Sequence, residues 1–311
     1  MTAARTVRTV LGDIDPAGLG VCDAHDHLFL RSPALPGPPL DDVAAAHATL
    51  TAYRDLGGGA MAHWTPFGMG RRAEQLVAAS RATGVRVIAA TGLHQQVHYD
   101  PELLRRLRRG DALAELFVAE LTHGTAAGDD PDGPRTAVRA GMIKVAGMFH
   151  GLDDHTRWVM TAAADAHHAT GAPIGIHHEM GTAAADVLAL LHGELGVPAS
   201  SLLLGHLNRF PDPGMHRELA AAGAFLAFDG PSRAHHATDA WTVGSLVALA
   251  SHGHTGQLLL GADTTAPGAG PGAPYLLRVM GPRLVRELGE AAVDALLRTN
   301  PARAFAVAWA S

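Results

Sequence analysis

Short apolar runs alternate with longer, alanine-rich segments along almost the whole chain. The longer segments look helical and repeatedly end at a glycine, as at Gly57, Gly84 and Gly171. Glycine in this position is the usual left-handed cap that terminates a helix. An apolar run of strand length follows each of these glycines. The alternation therefore predicts parallel strands that are joined by right-handed helical crossovers.

Eight of the apolar runs have the length and composition of β-strands. They cover 20–27, 59–64, 86–92, 141–147, 172–178, 201–206, 224–230 and 257–263. Helices are predicted at 41–56, 70–83, 101–124, 154–170, 181–195, 212–222, 238–252, 275–288 and 290–298, with a last one from Asn300. This count predicts an α/β fold, a (β/α)8 TIM barrel forming a single domain over residues 1–311, with a short N-terminal β extension and C-terminal helices.

An open, doubly wound sheet is the alternative architecture. The glycine run at 57–59 follows a helix and precedes a strand, which is the wrong order for a dinucleotide-binding loop. No low-complexity linker divides the chain. The barrel is therefore the favoured interpretation.

The composition narrows the class of protein. With 311 residues, 47% of them hydrophobic, the chain can bury a large core. A net charge of −6 argues against nucleic acid as a partner, and no apolar run is long enough to span a membrane. The single cysteine, Cys22, excludes an internal disulfide and favours a cytoplasmic location. We expect a small-molecule substrate as the partner, and a homodimer is compatible with the sequence.

The strongest local signal is the segment Asp23-Ala24-His25-Asp26-His27 at the end of the first predicted strand. In a strand His25 and His27 share one face, and Asp26 points the other way. Two imidazoles in this spacing can bind one metal ion from inside a barrel.

Four other predicted strands carry chemically active residues in or at the end of the strand: Lys144, His177, His206 and Asp263. Each has an ordinary interpretation as a core histidine, a turn-capping aspartate or a surface lysine. Together they lie on the face where barrel enzymes place their active sites, so the set predicts a metal centre there.

Lys144 is the only lysine among 24 basic residues, and it lies in an apolar strand. Burial disfavours the ammonium form, which leaves a nucleophilic amine. Such an amine reacts with CO2 to form a carbamate, whose two oxygens can bridge two cations. Schiff-base chemistry is the alternative, but it does not explain four histidines and an aspartate nearby.

Stretches covering nearly the whole chain resemble the phosphotriesterase family of the amidohydrolase superfamily: RTVLGDIDPAGLGVCDAHDHL, GMIKVAG, ATGAPIGIHHEMG, LLLGHLNR, LLLGADT and NPARAF. The resemblance implies two divalent cations. His25, His27 and Asp263 would bind the buried one, and His177 and His206 the more exposed one. A CO2-derived carbamate on Lys144 would bridge them. Zn2+ suits these ligands, and Mn2+, Fe2+, Co2+ and Ni2+ remain alternatives.

The same resemblance implies a hydrolase in which a metal-bridged hydroxide attacks the substrate and Asp263 accepts its proton. We expect the substrate to be a lactone or a related carboxylic ester. The alternatives are amide (N-acyl) hydrolysis and phosphotriester hydrolysis. Family phosphotriesterases carry an aspartate where this chain has Arg209, which weakens the phosphotriesterase interpretation. The arginine that many family lactonases place after the seventh-strand aspartate is also missing, since Gly230 follows Asp229 and the nearest arginine is Arg233.

Several further residues are predicted to contact the substrate from loops after the strands: His94, Tyr99, His150, His178, Arg209 and Arg233. Either arginine can hold a carboxylate or a phosphate. The alternative for each residue is loop packing. His178 is adjacent to His177, and the strand register favours His177 as the metal ligand, although exchanged roles remain open.

Overall fold

The computed structural model describes residues 4–230, 240–268 and 270–309. Eight parallel strands pair in chain order and confirm the barrel. They are β3 (Val21–Asp26), β4 (Gly58–His63), β5 (Arg86–Gly92), β6 (Met142–Ala146), β7 (Ile174–His177), β8 (Leu202–Leu204), β9 (Phe225–Asp229) and β10 (Leu258–Gly261). Each overlaps one of the eight predicted strands, which confirms the predicted alternation of strands and helices.

The gap between the first and last barrel strands is bridged where the strands end. The backbone N–H of Asp263 donates to the carbonyl of His25 at 2.9 Å, and that of Ala262 donates to the Asp23 carboxylate at 3.2 Å. These contacts bring Asp263, two positions after β10, beside His25 of β3. The nearly closed barrel thus places Asp263 next to His25 although the two are far apart in sequence.

Helices surround the barrel. They are α1 (Val43–Asp55), α2 (Ala73–Thr83), α3 (Pro101–Leu107), α4 (Ala112–Thr122), α5 (Asp154–Thr170), α6 (Ala184–Leu188), α7 (Pro213–Ala221), α8 (Thr242–Ser251), α9 (Ala273–Tyr275), α10 (Gly281–Leu288), α11 (Glu290–Asp294) and α12 (Asn300–Ala304). The single helix predicted over 101–124 is wrong. It is divided between α3 and α4, where Gly110 adopts φ +55°, a left-handed conformation that an α-helix cannot continue through. Among the described residues, no helix has the length and apolar character needed to cross a membrane.

The interior of the barrel is filled by alanines together with larger apolar side chains, among them Trp64 and Met142. Trp64, fully buried, donates from its indole N–H to the carbonyl of Ala24 at 2.8 Å and stacks on the ring of His25 with centroids 3.8 Å apart. Opposite it, a Cβ on Gly175 would come within 2.5 Å of Met142 and 2.9 Å of Trp64. The absence of a side chain at Gly175 therefore leaves room for the Trp64 ring, which stacks on His25.

A small antiparallel sheet accounts for the predicted N-terminal β extension. The strand β1 (Thr6–Thr9) lies between β2 (Gly12–Ile14) and β11 (Ala306–Val307). The N–H of Val10 donates to the carbonyl of Val87, near the start of β5, at 2.8 Å. The sheet consequently covers the end of the barrel where the strands begin, and leaves the opposite end available for a site.

Candidate metal centre and active site

A cavity of about 480 Å3 opens at the carboxyl ends of the barrel strands. Its lining includes all six residues that were predicted to hold metal: His25, His27, Lys144, His177, His206 and Asp263. A larger groove, about 700 Å3, lies near the opposite end, beside Arg5 and Arg303, but none of its lining residues is a histidine. The cavity that brings metal-binding residue types together is therefore the one at the expected face.

The two histidines of the first barrel strand both approach Asp263. The Nε2 atoms of His25 and His27 each lie 3.6 Å from Oδ1 of Asp263. The pairing of β3 with β4 is irregular between Asp23 and Asp26, where three steps along β3 match two along β4. The simple alternation of side chains is therefore interrupted in the segment that presents His25 and His27 to the same carboxylate.

The second pair of histidines comes from neighbouring strands. Nε2 of His206 lies 2.9 Å from Nδ1 of His177. Both His206 (φ +63°) and Asp263 (φ +48°) adopt left-handed backbone conformations, which are rare for residues other than glycine. Strain of this kind concentrates at functional sites, where the surrounding structure holds it in place.

Each of the four histidines has its other ring nitrogen beside an acceptor. His25 Nδ1 and His206 Nδ1 both lie 3.1 Å from Asp229, His27 Nδ1 lies 2.8 Å from the Thr65 hydroxyl, and His177 Nε2 lies 3.0 Å from Glu179. The contacts of His27 and His177 are hydrogen bonds, whereas His25 and His206 approach Asp229 at ion-pair distance only. Histidines that bind metals characteristically have outer partners of these kinds, which orient the inner nitrogen. The four inner nitrogens belong to the cavity lining, so this donor set fits divalent cations.

Burial also favours the neutral, metal-binding form in three of these imidazoles. It lowers the pKa of His27 to about 4 and lowers the pKa values of His177 and His206. Ligand atoms of His25, His206 and Asp263 lie within 4.8 Å of one another, close enough for one ion to contact all three.

Lys144 is 3% exposed and projects into the cavity from β6. Within the described residues its amine makes no hydrogen bond or ion pair. Burial lowers the pKa of Lys144 to about 7, and the negative charges of Asp263 and Glu179 oppose that shift. A substantial fraction of the amine is therefore unprotonated near pH 7, as a reaction with CO2 requires.

Arg209 and Asp263 form a buried ion pair, with Nη2 2.5 Å from Oδ2. Burial tends to raise the pKa of Asp263, but the neighbouring His206 and Arg209 outweigh it and hold this pKa well below the usual range. Asp263 is therefore a carboxylate at neutral pH.

Two of the six predicted substrate-binding residues, His94 and Arg209, line the cavity. Tyr99 and His178 lie behind its wall: Tyr99 Oη accepts from the backbone N–H of His94 at 2.7 Å, and His178 is fully buried with Nδ1 3.1 Å from the carbonyl of Gly205. His150 is exposed outside the cavity lining, and Arg233 lies outside the described residues.

Sequence reasoning missed three polar residues of the cavity, Gln95, Glu179 and Thr265. Gln95 Nε2 donates to Glu179 Oε2 at 3.2 Å, and the same oxygen lies 3.0 Å from His177 Nε2. The signal for Glu179 was present, since it follows His177 by two positions just after β7. The remaining wall is apolar and includes Leu30, Leu35, Pro36, Met69, Val97 and Met180.

Comparison with known proteins gives consistent results. The model of the phosphotriesterase family matches residues 5–305. A phospho-furanose lactonase of Mycoplasmopsis agalactiae is 29% identical over 77% of this chain and 70% of its own length. An N-acetyltaurine hydrolase of Tetraodon nigroviridis is 27% identical over 95% and 96%. Among solved structures, a lactonase from Listeria monocytogenes superposes with a TM-score of 0.85 at 27% identity, covering 96% of this chain and 98% of that one.

Proposed function

The chain belongs to the phosphotriesterase family and is a hydrolase of ester bonds, and on that premise we propose that its substrate is a lactone or a related carboxylic ester. One observation carries the proposal: the cavity that holds Lys144 and Asp263 also holds four histidines whose outer nitrogens all lie beside acceptors. The similarity to two proteins described as lactonases supports the substrate class.

In this proposal His25, His27 and Asp263 would hold the more buried of two divalent cations, and His177 and His206 would hold the more exposed one. Lys144, as its carbamate, would supply ligand oxygens to both. Mixed imidazole and oxygen ligands suit Zn2+, and Mn2+, Fe2+, Co2+ and Ni2+ also accept them. When bound, such cations lower the pKa of a water towards neutrality and withdraw electron density from the substrate's carbonyl oxygen.

The protein side chains supply the remaining chemistry. Oδ1 of Asp263 lies 3.6 Å from Nε2 of both His25 and His27, so this carboxylate is placed to accept the proton of the attacking water. Arg209 holds Oδ2 of Asp263 and fixes the direction in which the carboxylate presents Oδ1. Asp229, which is fully buried, accepts the backbone N–H of His206 at 2.7 Å and keeps that left-handed residue in position.

The apolar part of the cavity wall favours a substrate with an uncharged, partly apolar body. Leu30 and Leu35 after β3, Val97 after β5 and Met180 after β7 supply that wall. The volume, about 480 Å3, lies within the range typical of sites for small organic ligands. A lactone ring with a short substituent is of this size.

The test is a pH-indicator hydrolysis panel on protein loaded with Zn2+ or Mn2+. It contains γ- and δ-lactones, sugar lactones with and without a phosphate, acyl-homoserine lactones, N-acyl amino acids and an aryl phosphotriester. Turnover of one lactone group, abolished by a chelator and restored by metal, is the expected result. Turnover confined to amides or to the phosphotriester would replace the proposal with that activity.

Amide hydrolysis is the second candidate, favoured by the similarity to the N-acetyltaurine hydrolase over nearly the full length of both chains. The same carboxylate and histidines serve either reaction, because an ester and an amide both present a carbonyl carbon to the attacking water. Paired substrates that share one acyl group, one an ester and the other an amide, separate the two by their kcat/KM ratio.

A further inference from the structure

His94 stands beside the candidate metal centre without belonging to it. It follows β5 and lines the same cavity as Lys144 and His177. Its ring centroid is 4.8 Å from that of His177 and 4.4 Å from that of His98. The imidazole therefore forms the cavity wall next to the histidine proposed for the more exposed cation.

One hydrogen bond fixes which nitrogen of this imidazole carries the proton. The backbone N–H of Gln95 donates to Nδ1 of His94 at 2.8 Å. A nitrogen that accepts a hydrogen bond has no proton of its own, so the neutral ring carries its proton on Nε2. Within the described residues Nε2 makes no hydrogen bond. The polar group that the ring presents to the cavity is therefore the Nε2–H donor.

The backbone of His94 is held from both sides. Its N–H donates to the hydroxyl of Tyr99 at 2.7 Å, and Nε2–H of His155 donates to its carbonyl at 2.8 Å. Both partners are largely buried, and so is His94, at 7% exposed. The donor is thus fixed in place before any substrate arrives, which is the condition under which a hydrogen bond lowers a reaction barrier most.

We propose that His94 is the hydrogen-bond donor for the carbonyl oxygen of the substrate. This rests on the proposed function, because negative charge develops on that oxygen only if a carbonyl carbon is attacked. In the tetrahedral state the oxygen gains charge, and Nε2–H stabilises it without transferring its proton. His98, the neighbouring histidine, has Nδ1 2.6 Å from the Ser32 hydroxyl, which can donate or accept, so its tautomer is not fixed in this way.

The kinetic test compares three variants on the best carboxyl substrate. His94→Phe keeps an aromatic ring and removes the donor, His94→Gln restores an N–H at similar reach, and His98→Phe is the comparison at the adjacent ring. We expect His94→Phe to lower kcat by roughly 10²–10³-fold, the usual loss for one such donor. KM should change little, both cations should remain by elemental analysis, and the loss should exceed that of His98→Phe.

His94→Gln should recover at least about tenfold of the kcat that His94→Phe loses. The proposal is overturned if His94→Phe retains more than about a tenth of the wild-type kcat, or if Gln is no better than Phe. It is also overturned if the loss of kcat follows a loss of bound metal, since His94 would then act through the metal centre.

A second measurement does not depend on activity. Long-range 1H–15N NMR on histidine-labelled protein distinguishes protonated from unprotonated ring nitrogens, and His94→Phe identifies the signals of His94. We expect Nε2 protonated and Nδ1 bare, unchanged in Gln95→Ala, which keeps the backbone N–H. A protonated Nδ1 contradicts the proposal. If the wild type cleaves no carboxyl substrate while this tautomer is found, the proposed function has failed and not the assignment of the donor.

Discussion

Arg209 and Asp263 are in direct contact, with the guanidinium Nη2 2.5 Å from Oδ2 of the carboxylate and both side chains buried. The two residues follow different strands, β8 and β10, and meet at the floor of the cavity. The buried carboxylate that we propose as a metal ligand and proton acceptor is thus tied to a permanent positive charge.

Removing that charge should impair the site. In Arg209→Gln the Asp263 carboxylate loses a charge-assisted hydrogen bond worth about 2 kcal/mol, so we expect kcat/KM to fall roughly 30-fold. Arg209→Lys keeps the charge and should lose less. Because removal of a neighbouring cation raises a carboxyl pKa, the acid limb of the rate profile should move to higher pH in the Gln variant. A rate profile identical to that of the wild type would show that the ion pair has no part in the reaction.

Lys144 provides a test of the bridging group that does not require a known substrate. Lys144→Ala should bind fewer than two metal ions per chain under conditions in which the wild type binds two. In the wild type, bicarbonate should speed reconstitution with metal, because the amine, whose pKa burial lowers to about 7, must first become a carbamate. Lys144→Glu carries its own carboxylate and should show no bicarbonate dependence. Two metals bound to Lys144→Ala would rule the bridge out.

Glu179 should act on metal binding through His177. Its carboxylate lies 3.0 Å from Nε2 of His177, and this contact lowers the pKa of Glu179 to about 2. Loss of an outer partner of a ligating histidine typically weakens metal binding 10–100-fold, so we expect roughly that loss for one of the two ions in Glu179→Gln. Competition with a chelator measures it. The exposed Glu194 provides the matched control, Glu194→Gln, and equal affinities in the two variants would contradict the assignment.

His178 should make the metal-free protein sensitive to acid. Burial lowers its pKa to about 3, whereas the unfolded chain titrates near 6.5. Below pH 6.5 the unfolded state therefore binds a proton that the folded state does not. This site should make the free energy of unfolding fall by up to about 1.4 kcal/mol per pH unit as the pH drops from 6.5 towards 3.

Urea unfolding of chelator-treated protein between pH 5 and 7 measures this dependence. His178→Gln removes the titrating group, so its stability should fall less steeply with decreasing pH than that of the wild type. His168→Gln, at an exposed position on α5, should keep the wild-type slope. Parallel slopes for all three proteins would mean that His178 does not titrate on unfolding.

The barrel could be predicted because its signal is local and repeated. Each strand is a short apolar run after a glycine, and Gly84 and Gly171 indeed adopt the left-handed conformation that ends α2 and α5. The helix predicted over 101–124 failed for a local reason as well, since Gly110 adopts a left-handed conformation between α3 and α4. Prediction succeeded where a glycine separates a helix-like segment from an apolar run.

The details of the site depend on contacts between distant segments, and a single sequence does not contain them. Tyr99 was predicted to contact the substrate, but the turn at Gln96–His98 directs its hydroxyl back to the N–H of His94. The ion pair of Arg209 with Asp263 required the register of two strands to be known. The sequence allowed side chains at strand ends to be assigned to the cavity, but it did not identify the residues that they contact.

The small sheet at the base of the barrel constrains the order in which the chain can fold during synthesis. Arg5 hydrogen-bonds to the carbonyl of Ala306, 301 positions later, and β1 pairs with β11. A chain still emerging from the ribosome can form most barrel strands with their helices, but it cannot pair β1 on both edges or pack Phe305 beneath the barrel. Contacts of such long sequence separation slow folding. The nascent protein therefore keeps one edge of β1 unpaired until β11 has been synthesised.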